Sequence, residues 1–439
     1  MRRRELLAGV ASLALASARA DARSRTPYGG TLALHAPWPV GAIDPHRVDD
    51  ATAALFGEAL YDPLYTRDES GAFVASLAED DPQPDGATLR VALRADVRFA
   101  SGNPLDGRAV AGSIARARAR DASAWLAEIP IPRVDGGALV FAMRDARRLV
   151  RALASPLVAI VPPRFTPERP DGTGPFRAQM QAGAVTLVRN TLAANGPAFL
   201  DAIEIRRATD LVTSLRAFES GTDDLGWLGS FLHDPRPGAK GFDAGFVGWA
   251  VLRTGRDAGP LDAPGTAQAL ADGVPHATLA SFVVGPPWDA TGSMWTGSPA
   301  EILVRDDAPW LVELARALAV ALSSPSHDLR CTPLAATEIA ARRSTRGFTL
   351  MLDVARPAGP GALGAILGLA TADDAATAAA LSRHPPRGEM PARVATRTMR
   401  LGVVGEIRLQ GGRSPDLVLP PSPWGRGIDW GAAFRARPS

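Results

Sequence analysis

The chain contains very few residues that could form covalent cross-links or metal sites. Among 439 residues there is a single cysteine, Cys331, which excludes an intrachain disulfide. Lysine occurs once, at Lys240, and aromatic residues make up only 6 %. The six histidines are scattered, with no H-E-x-x-H motif and no Cys/His pair, so a metal site is not expected. No segment reaches the roughly 18 consecutive apolar residues that indicate a membrane-spanning helix.

Sequence motifs of catalysis are missing as well. Neither G-x-S-x-G nor S-x-x-K occurs, so the sequence offers no arrangement for nucleophilic hydrolysis. Residues 359–364 match G-x-G-x-x-G, but a short loop separates them from the preceding predicted strand. The acidic residue that a dinucleotide site needs about 20 positions later is absent. We therefore expect no cofactor and do not predict an enzyme.

The composition is that of a globular protein with more than one core. Hydrophobic residues make up 46 % and charged residues 21 %, and 43 glycines with 38 prolines predict many turns. A chain of 439 residues exceeds what one hydrophobic core usually supports. The formal net charge is +2, and four arginines near the N-terminus account for it. Because no arginine cluster alternates with aromatics, nucleic acid is not an expected partner.

The first twenty residues have the three-part pattern of a secretory signal peptide. Arg2, Arg3 and Arg4 form a positive start, residues 6–16 are weakly apolar, and Ala18-Arg19-Ala20 resembles a cleavage site. The Arg3-Arg4 pair favours twin-arginine export, with the general secretory route as the alternative. No cysteine follows the apolar segment, so lipid anchoring is not expected. We predict a periplasmic protein.

Hydrophobic periodicity predicts alternating strands and helices, which indicates an α/β layer structure. Helices are predicted at residues 49–61, 108–120, 146–154, 210–219, 309–323 and 335–343. Strands are predicted at residues 31–35, 64–65, 88–93, 139–143, 185–189, 203–207, 248–256, 281–284, 301–304, 329–334 and 348–354. Residues 255–275 and 356–364 are the least regular stretches of the sequence and are expected to lie near hinges or loops.

Five short motifs occur along the chain in one order. They are Gly29-Gly30-Thr31-Leu32, Asp44-Pro45-His46, Leu60-Tyr61-Asp62-Pro63-Leu64, the run from Val97 to Asp106, and Gly172-Thr173-Gly174-Pro175-Phe176. This series resembles the family 5 extracytoplasmic solute-binding proteins, which serve ABC importers. The resemblance implies a two-lobed α/β periplasmic binding protein fold with a hinge between the lobes. Lobe one would comprise residues 26–247, including an inserted subdomain at about 66–165, and residues 391–439 would complete it. Lobe two would comprise residues 248–390.

The same resemblance implies a function. The chain would capture peptides or a similar small polar solute by hinge closure and deliver it to an inner-membrane ABC permease, acting as a monomer. Two alternatives remain open: a degenerate ligand sensor with the same fold, and an exported enzyme without a recognisable catalytic motif. The genes that flank the chain's own gene would separate transport from sensing.

Candidate ligand-binding residues follow from the expected cleft. Three tryptophans lie near it, and each offers either an apolar wall for the ligand or ordinary core packing. The resemblance implies that an acid at the end of a lobe-two strand pairs with a ligand amino group. A nearby arginine is a candidate for a ligand carboxylate, with a solvated surface position as the alternative. These five candidates are Trp227, Trp249, Trp288, Asp353 and Arg356.

Overall fold

The structure is a computed structural model of the chain. It describes residues 28–36, 38–227, 236–280, 291–359, 396–424 and 427–436, together with residues 283, 285 and 380. The predicted signal peptide lies outside the described residues, as does all but one residue of the strand predicted at 281–284.

The described residues form strands and helices in alternation along much of the chain. The strands are β1 (Thr31–Ala36), β2 (Tyr65–Arg67), β3 (Phe73–Ala75), β4 (Gln83–Asp85), β5 (Thr88–Val91), β6 (Arg133–Asp135), β7 (Ala138–Phe141), β8 (Phe176–Gln181), β9 (Ala184–Arg189), β10 (Ala202–Arg207), β11 (Leu225–Trp227), β12 (Lys240–Thr254), β13 (Ala300–Arg305), β14 (Leu329–Leu334), β15 (Leu350–Ala355), β16 (Leu401–Arg413), β17 (Leu417–Val418) and β18 (Phe434–Arg435). The helices are α1 (Ala51–Leu60), α2 (Gly107–Ala119), α3 (Ala146–Leu153), α4 (Leu211–Glu219), α5 (Thr266–Asp272), α6 (His276–Leu279), α7 (Pro309–Leu322) and α8 (Ala336–Thr345).

The first lobe is built on a four-stranded sheet in the order β1-β10-β9-β8. Strand β1 runs parallel to β10, and the other two pairs are antiparallel. Alternate residues of β1, Leu32 and Leu34, are buried in one core with Phe56 of helix α1. Asp50 begins that helix, because its carboxylate accepts a hydrogen bond from the Ala53 amide at 2.8 Å. The residues just before α1 are therefore held at the edge of the first lobe.

A second sheet, in the order β4-β5-β7-β6, lies within residues 83–141. Helix α2 packs on it and buries Val110 and Ile114 in a shared core with Phe141. Asp106 begins the helix by accepting a hydrogen bond from the Ala109 amide at 2.7 Å. This sheet falls within the range that the sequence predicts for an inserted subdomain.

The third and largest sheet joins the two lobes. Its order is β11-β16-β12-β15-β13-β14, and the long strands β12 and β16 are antiparallel to each other. At one end β16 pairs with β11, which follows α4. At the other end β12 pairs with β15, which belongs with β13, β14, α7 and α8. We call this latter group the second lobe, and β12 with β16 the crossing strands.

One helix lies in a stretch that the sequence shows as irregular. Residues 255–275 contain helix α5, which no local pattern indicates. The helix is fixed by a tertiary contact, because the Gln268 side chain accepts a hydrogen bond from the Val403 amide of β16 at 2.9 Å. A seven-residue helix is too short for its own periodicity to reveal it. Within the part of the chain that the structure describes, no helix is both long enough and apolar enough to cross a bilayer.

Candidate functional site

A cavity of about 660 Å³ lies between the two lobes. Ligand sites in proteins commonly enclose about 300–1,000 Å³. Its lining comes from the first lobe within residues 38–55 and 210–212, from the crossing strands at 247–248 and 407–410, and from the second lobe within 305–313, 336–343 and 354–356. A molecule in this cavity would contact both lobes.

The second lobe supplies its side of the cavity from the ends of parallel strands. Strand β13 pairs in parallel with β14 and with β15. Arg305 is the last residue of β13 and Ala355 the last of β15, and both line the cavity. In open α/β sheets, ligands bind beyond the carboxyl ends of the strands. The cavity therefore lies where this topology favours a ligand.

Two tryptophans line the cavity, one from each lobe. Trp38 follows β1 in the first lobe, and Trp310 lies in the first turn of α7 in the second. Both side chains are half-buried. Most of the remaining lining is aliphatic, including Leu55, Ile339 and Ile407. The sequence prediction missed both tryptophans, although each comes shortly after a strand of the predicted α/β pattern.

Three arginines converge on Asp49 at the wall of the cavity. The Asp49 carboxylate accepts hydrogen bonds from Nε and Nη2 of Arg47 at 2.8 and 2.7 Å. It also accepts one from Nη1 of Arg343 at 2.7 Å. The Asp49 carbonyl oxygen accepts a longer bond, 3.4 Å, from Nη1 of Arg305. We call Arg47, Arg305 and Arg343 the arginine cluster, and all three line the cavity.

The arginine cluster connects the two lobes. Arg47 and Asp49 precede α1 of the first lobe, whereas Arg305 ends β13 and Arg343 lies on α8 of the second. Burial by itself would raise the pKa of Asp49, but the charge of Arg343 and the hydrogen bonds from Arg47 outweigh it and lower the pKa. Asp49 is therefore ionised and makes an ion pair across the cleft.

Asp50, the neighbour of Asp49, has the opposite behaviour. Burial raises the pKa of Asp50 to about 6. The hydrogen bonds from the Asp44 and Ala53 amides lower the pKa, but their effect is smaller than that of burial. Both carboxylate oxygens are thus occupied by backbone donors. Asp50 therefore caps the N-terminus of α1, whereas Asp49 forms the ion pairs with the arginines.

Asp353, a predicted ligand contact, is buried behind the cavity wall. Its carboxylate lies 2.8 Å from Nη2 of Arg343 and 3.5 Å from Nε of Arg253. These two guanidinium groups occupy the carboxylate, and the residue does not line the described cavity. Contact between Asp353 and a ligand stays a prediction, and in this arrangement Arg343 stands between them.

Arg356 does line the cavity, but the alternative of a solvated surface arginine is wrong. Its exposed fraction is 6 %. Its guanidinium donates to the carbonyl oxygen of Ala53 at 3.1 Å and to that of Pro45. Burial lowers the pKa of Arg356, although the charge of Asp50 opposes this. Through these hydrogen bonds Arg356, next to the end of β15, holds both the first turn of α1 and the segment before it.

The three predicted tryptophans have different positions. Trp249 is buried with 5 % exposure and packs on Phe246 with ring centroids 4.4 Å apart, and it does not line the described cavity. This supports core packing for that residue. The backbone of Trp227 ends β11 opposite Gly411. Trp288 lies outside the described residues. Ligand contact by these tryptophans stays a prediction.

Among the described side chains, no group of three or more His, Cys, Asp or Glu residues could hold a metal ion. The acids of the cavity are engaged by arginines or by backbone amides instead. The arrangement can therefore enclose a small molecule between an aromatic residue of each lobe and a set of guanidinium groups.

Comparison with known proteins agrees with this geometry. Residues 72–236 match the family described as bacterial extracellular solute-binding proteins, family 5 Middle. No curated protein matches the chain in a sequence search. The resemblance to family 5 solute-binding proteins is confirmed over the matched residues.

Solved structures are similar over nearly the whole chain. The oligopeptide-binding protein AppA from Bacillus subtilis, in complex with a nonapeptide, has a TM-score of 0.73 at 12 % identity, covering 94 % of this chain and 100 % of its own. MoaA from A. tumefacien R10, in complex with mannopinic acid, has a TM-score of 0.72 at 17 % identity and the same coverage. NikA from Staphylococcus aureus, in complex with Ni(L-His)2, has a TM-score of 0.69 at 15 % identity, covering 92 % of this chain and 100 % of its own. The predicted two-lobed α/β fold is confirmed.

Proposed function

Starting from the match of residues 72–236 to the family 5 solute-binding proteins, we propose that this chain is the solute-binding component of an ABC importer. It would work in the periplasm after removal of the predicted signal peptide. The observation that supports this most is the cavity of about 660 Å³ with walls from both lobes and the crossing strands. A receptor that closes on its ligand needs this arrangement, because only a ligand that contacts both lobes favours the closed form.

The crossing strands would act as the hinge between the lobes. Small dihedral changes in β12 and β16 would move the second lobe relative to the first, as in other hinge-closing binding proteins. The ligand would enter the open cleft, the lobes would close, and an inner-membrane permease would recognise the closed form. Release follows when the permease favours the open form again.

The ligand belongs to the class of peptides or similar small polar solutes. AppA, MoaA and NikA hold a nonapeptide, mannopinic acid and Ni(L-His)2 respectively in the same fold. We assign ligand contact to Arg356, Trp38 and Trp310 because these residues line the cavity. Trp227 and Trp288 are proposed as further ligand contacts. Asp353 and Trp249 do not line the described cavity, and we propose that they support the residues that do.

Calorimetric titration against a peptide library and a broad metabolite panel tests the proposal. A true ligand should raise the melting temperature of the purified mature chain and reduce its radius of gyration in solution scattering. Both effects should appear with the same compound. If no compound of the panel changes either quantity, the receptor function is wrong.

Two variants on helix α7 test whether the ligand binds in the cavity. Trp310→Ala removes an aromatic wall and should weaken binding of any ligand found. Val320→Ala is the matched control, because Val320 lies on the same helix but is 80 % exposed. Equal affinity of the two variants would place the ligand elsewhere. Size-exclusion chromatography with light scattering checks the proposed monomer.

A further inference from the structure

The charges of the cavity indicate how its ligand is recognised. We infer that the site binds a small solute through a carboxylate on an apolar body, and that the arginine cluster of Arg47, Arg305 and Arg343 receives this carboxylate. The inference rests on the proposed receptor function and narrows its ligand class. It follows from three observations: the hydrogen-bond donors, the engaged acids, and the position of the cluster between the lobes.

The cluster carries more N–H donors than its acidic partners accept. Arg305 itself is already held by Asp307, which accepts hydrogen bonds from its Nε and Nη2. A guanidinium carries five N–H donors in a fixed plane and accepts none. Arg343 donates from Nη1 to Asp49 and lies with Nη2 at 2.8 Å from Asp353. Because its Nε is buried, a ligand would bond to the remaining N–H groups of Nη1 and Nη2. Arg47 donates to Asp49 from Nε and Nη2. A ligand that accepts hydrogen bonds therefore fits this wall.

The acids that line the cavity are already engaged. Asp49 is held by Arg47 and Arg343. Asp50 accepts from two backbone amides, and Asp210 accepts from the Thr213 amide at the start of α4. Glu313 pairs with Arg316 on the exposed side of α7. These acids thus already accept hydrogen bonds from the protein, whereas the guanidinium groups of the cluster keep further N–H donors for a carboxylate.

The cluster also explains why binding would close the cleft. A carboxylate between Arg47 of the first lobe and both Arg305 and Arg343 of the second contacts both lobes through charge-assisted hydrogen bonds. Its apolar body would then lie between Trp38 and Trp310. Tryptophan walls accept varied apolar groups without strict shape selection. The carboxylate, rather than the body, would determine which solutes bind.

Two probes with one apolar body separate the charge requirement from the apolar contact. 4-Phenylbutyrate and 3-phenylpropylamine share a phenyl ring and three methylene groups and differ in the charged group. Calorimetry and tryptophan fluorescence of the purified mature chain should detect binding of the carboxylate at millimolar concentration and much weaker binding of the amine. Equal binding of both, preference for the amine, or no binding of the carboxylate overturns the inference.

Variants of the cluster test the site itself. Arg343→Gln should weaken phenylbutyrate binding about tenfold or more, the loss expected for a charge-assisted hydrogen bond. Arg342→Gln is the control, because Arg342 directly precedes Arg343 on α8, is 49 % exposed and pairs with Glu338. Since Arg343 also holds buried Asp353, Arg305→Gln is a second variant that leaves that pair intact and instead removes the ion-pair partner of Asp307. Unchanged affinity in Arg305→Gln, or in a folded Arg343→Gln, contradicts the inference.

The ligand panel separates failure of this inference from failure of the receptor function. If a panel solute without a carboxylate binds and compacts the chain, the receptor function stands and the inference is wrong. If no solute binds at all, both are wrong. Tight binding of a solute that loses affinity when its carboxylate is amidated supports both.

Discussion

Substitution of Asp49 by asparagine should open the cleft. Asp49 is 8 % and Arg343 is 20 % exposed at the side chain, and their 2.7 Å ion pair joins the two lobes. Asparagine keeps the shape of the side chain and removes the charge. Arg47 and Arg343 would then both lose an ionised partner at the cavity wall. We expect the closed form to become less stable relative to the open form.

The free-energy cost of Asp49→Asn depends on which partners Arg343 keeps in the variant. Removing one partner of a fully buried ion pair costs about 3–5 kcal/mol. Here Arg343 keeps Asp353 at 2.8 Å, and asparagine still accepts a hydrogen bond. The loss should therefore be closer to roughly 1–3 kcal/mol, the cost of leaving a buried hydrogen-bonding group without its partner. That range shifts the ratio of closed to open forms by about 5- to 150-fold.

Solution scattering at a ligand concentration that closes the unsubstituted chain measures this shift as an increase in the radius of gyration of Asp49→Asn. A double-mutant cycle with Arg343→Gln isolates the pair, since the coupling energy should be favourable and within the stated range. Asp96→Asn is the control, because Asp96 also pairs with an arginine but is 73 % exposed. An unchanged radius of gyration together with no coupling would refute the role of this ion pair.

Two further predictions concern stability. Burial lowers the pKa of His46 to about 4, while its Nε2 bonds to the Ala159 carbonyl at 2.8 Å. The folded chain thus binds fewer protons than the unfolded chain between that value and the usual pKa near 6.5, so the free energy of unfolding should fall as the pH drops through this window. An NMR titration of the ring checks this, and a midpoint near 6.5 would contradict it. Gly172→Ala should lower the melting temperature strongly, because the new Cβ would lie 2.1 Å from the Leu60 carbonyl oxygen. Gly112→Ala, inside α2 and with open space around the new Cβ, should raise stability by about 1 kcal/mol in calorimetry. Equal melting temperatures of the two variants would contradict this prediction, because the structure around Gly172 would then have adjusted to the added methyl group.

Much of the fold was predictable from local patterns. Helix α1 was expected at 49–61 and is observed at Ala51–Leu60, and strand β14 was expected and observed over the same residues. These elements have strong periodicity and clear end signals, such as Asp50 before α1. Helix α5 was missed because its stability depends on a contact with β16, which no local pattern contains.

The site was less predictable than the fold. Arg356 was proposed and does line the cavity, but Trp38, Trp310 and Arg343 were not identified. Their importance depends on which residues of distant segments meet. Asp353 was chosen for its place at a strand end, and the tertiary structure gives it two arginine partners instead of an open position.

Sequence alone thus determined the α/β pattern, the family resemblance and the expectation of two lobes, because hydrophobic periodicity, turn residues and ordered motifs act over short distances. Only the tertiary structure decided which charges face the cleft. Asp49 and Arg343 are 294 positions apart in the chain, and they meet because the crossing strands bring α8 beside the start of α1. The free energy of such a pair depends on burial and on neighbouring charges, and neither quantity exists until the lobes have packed.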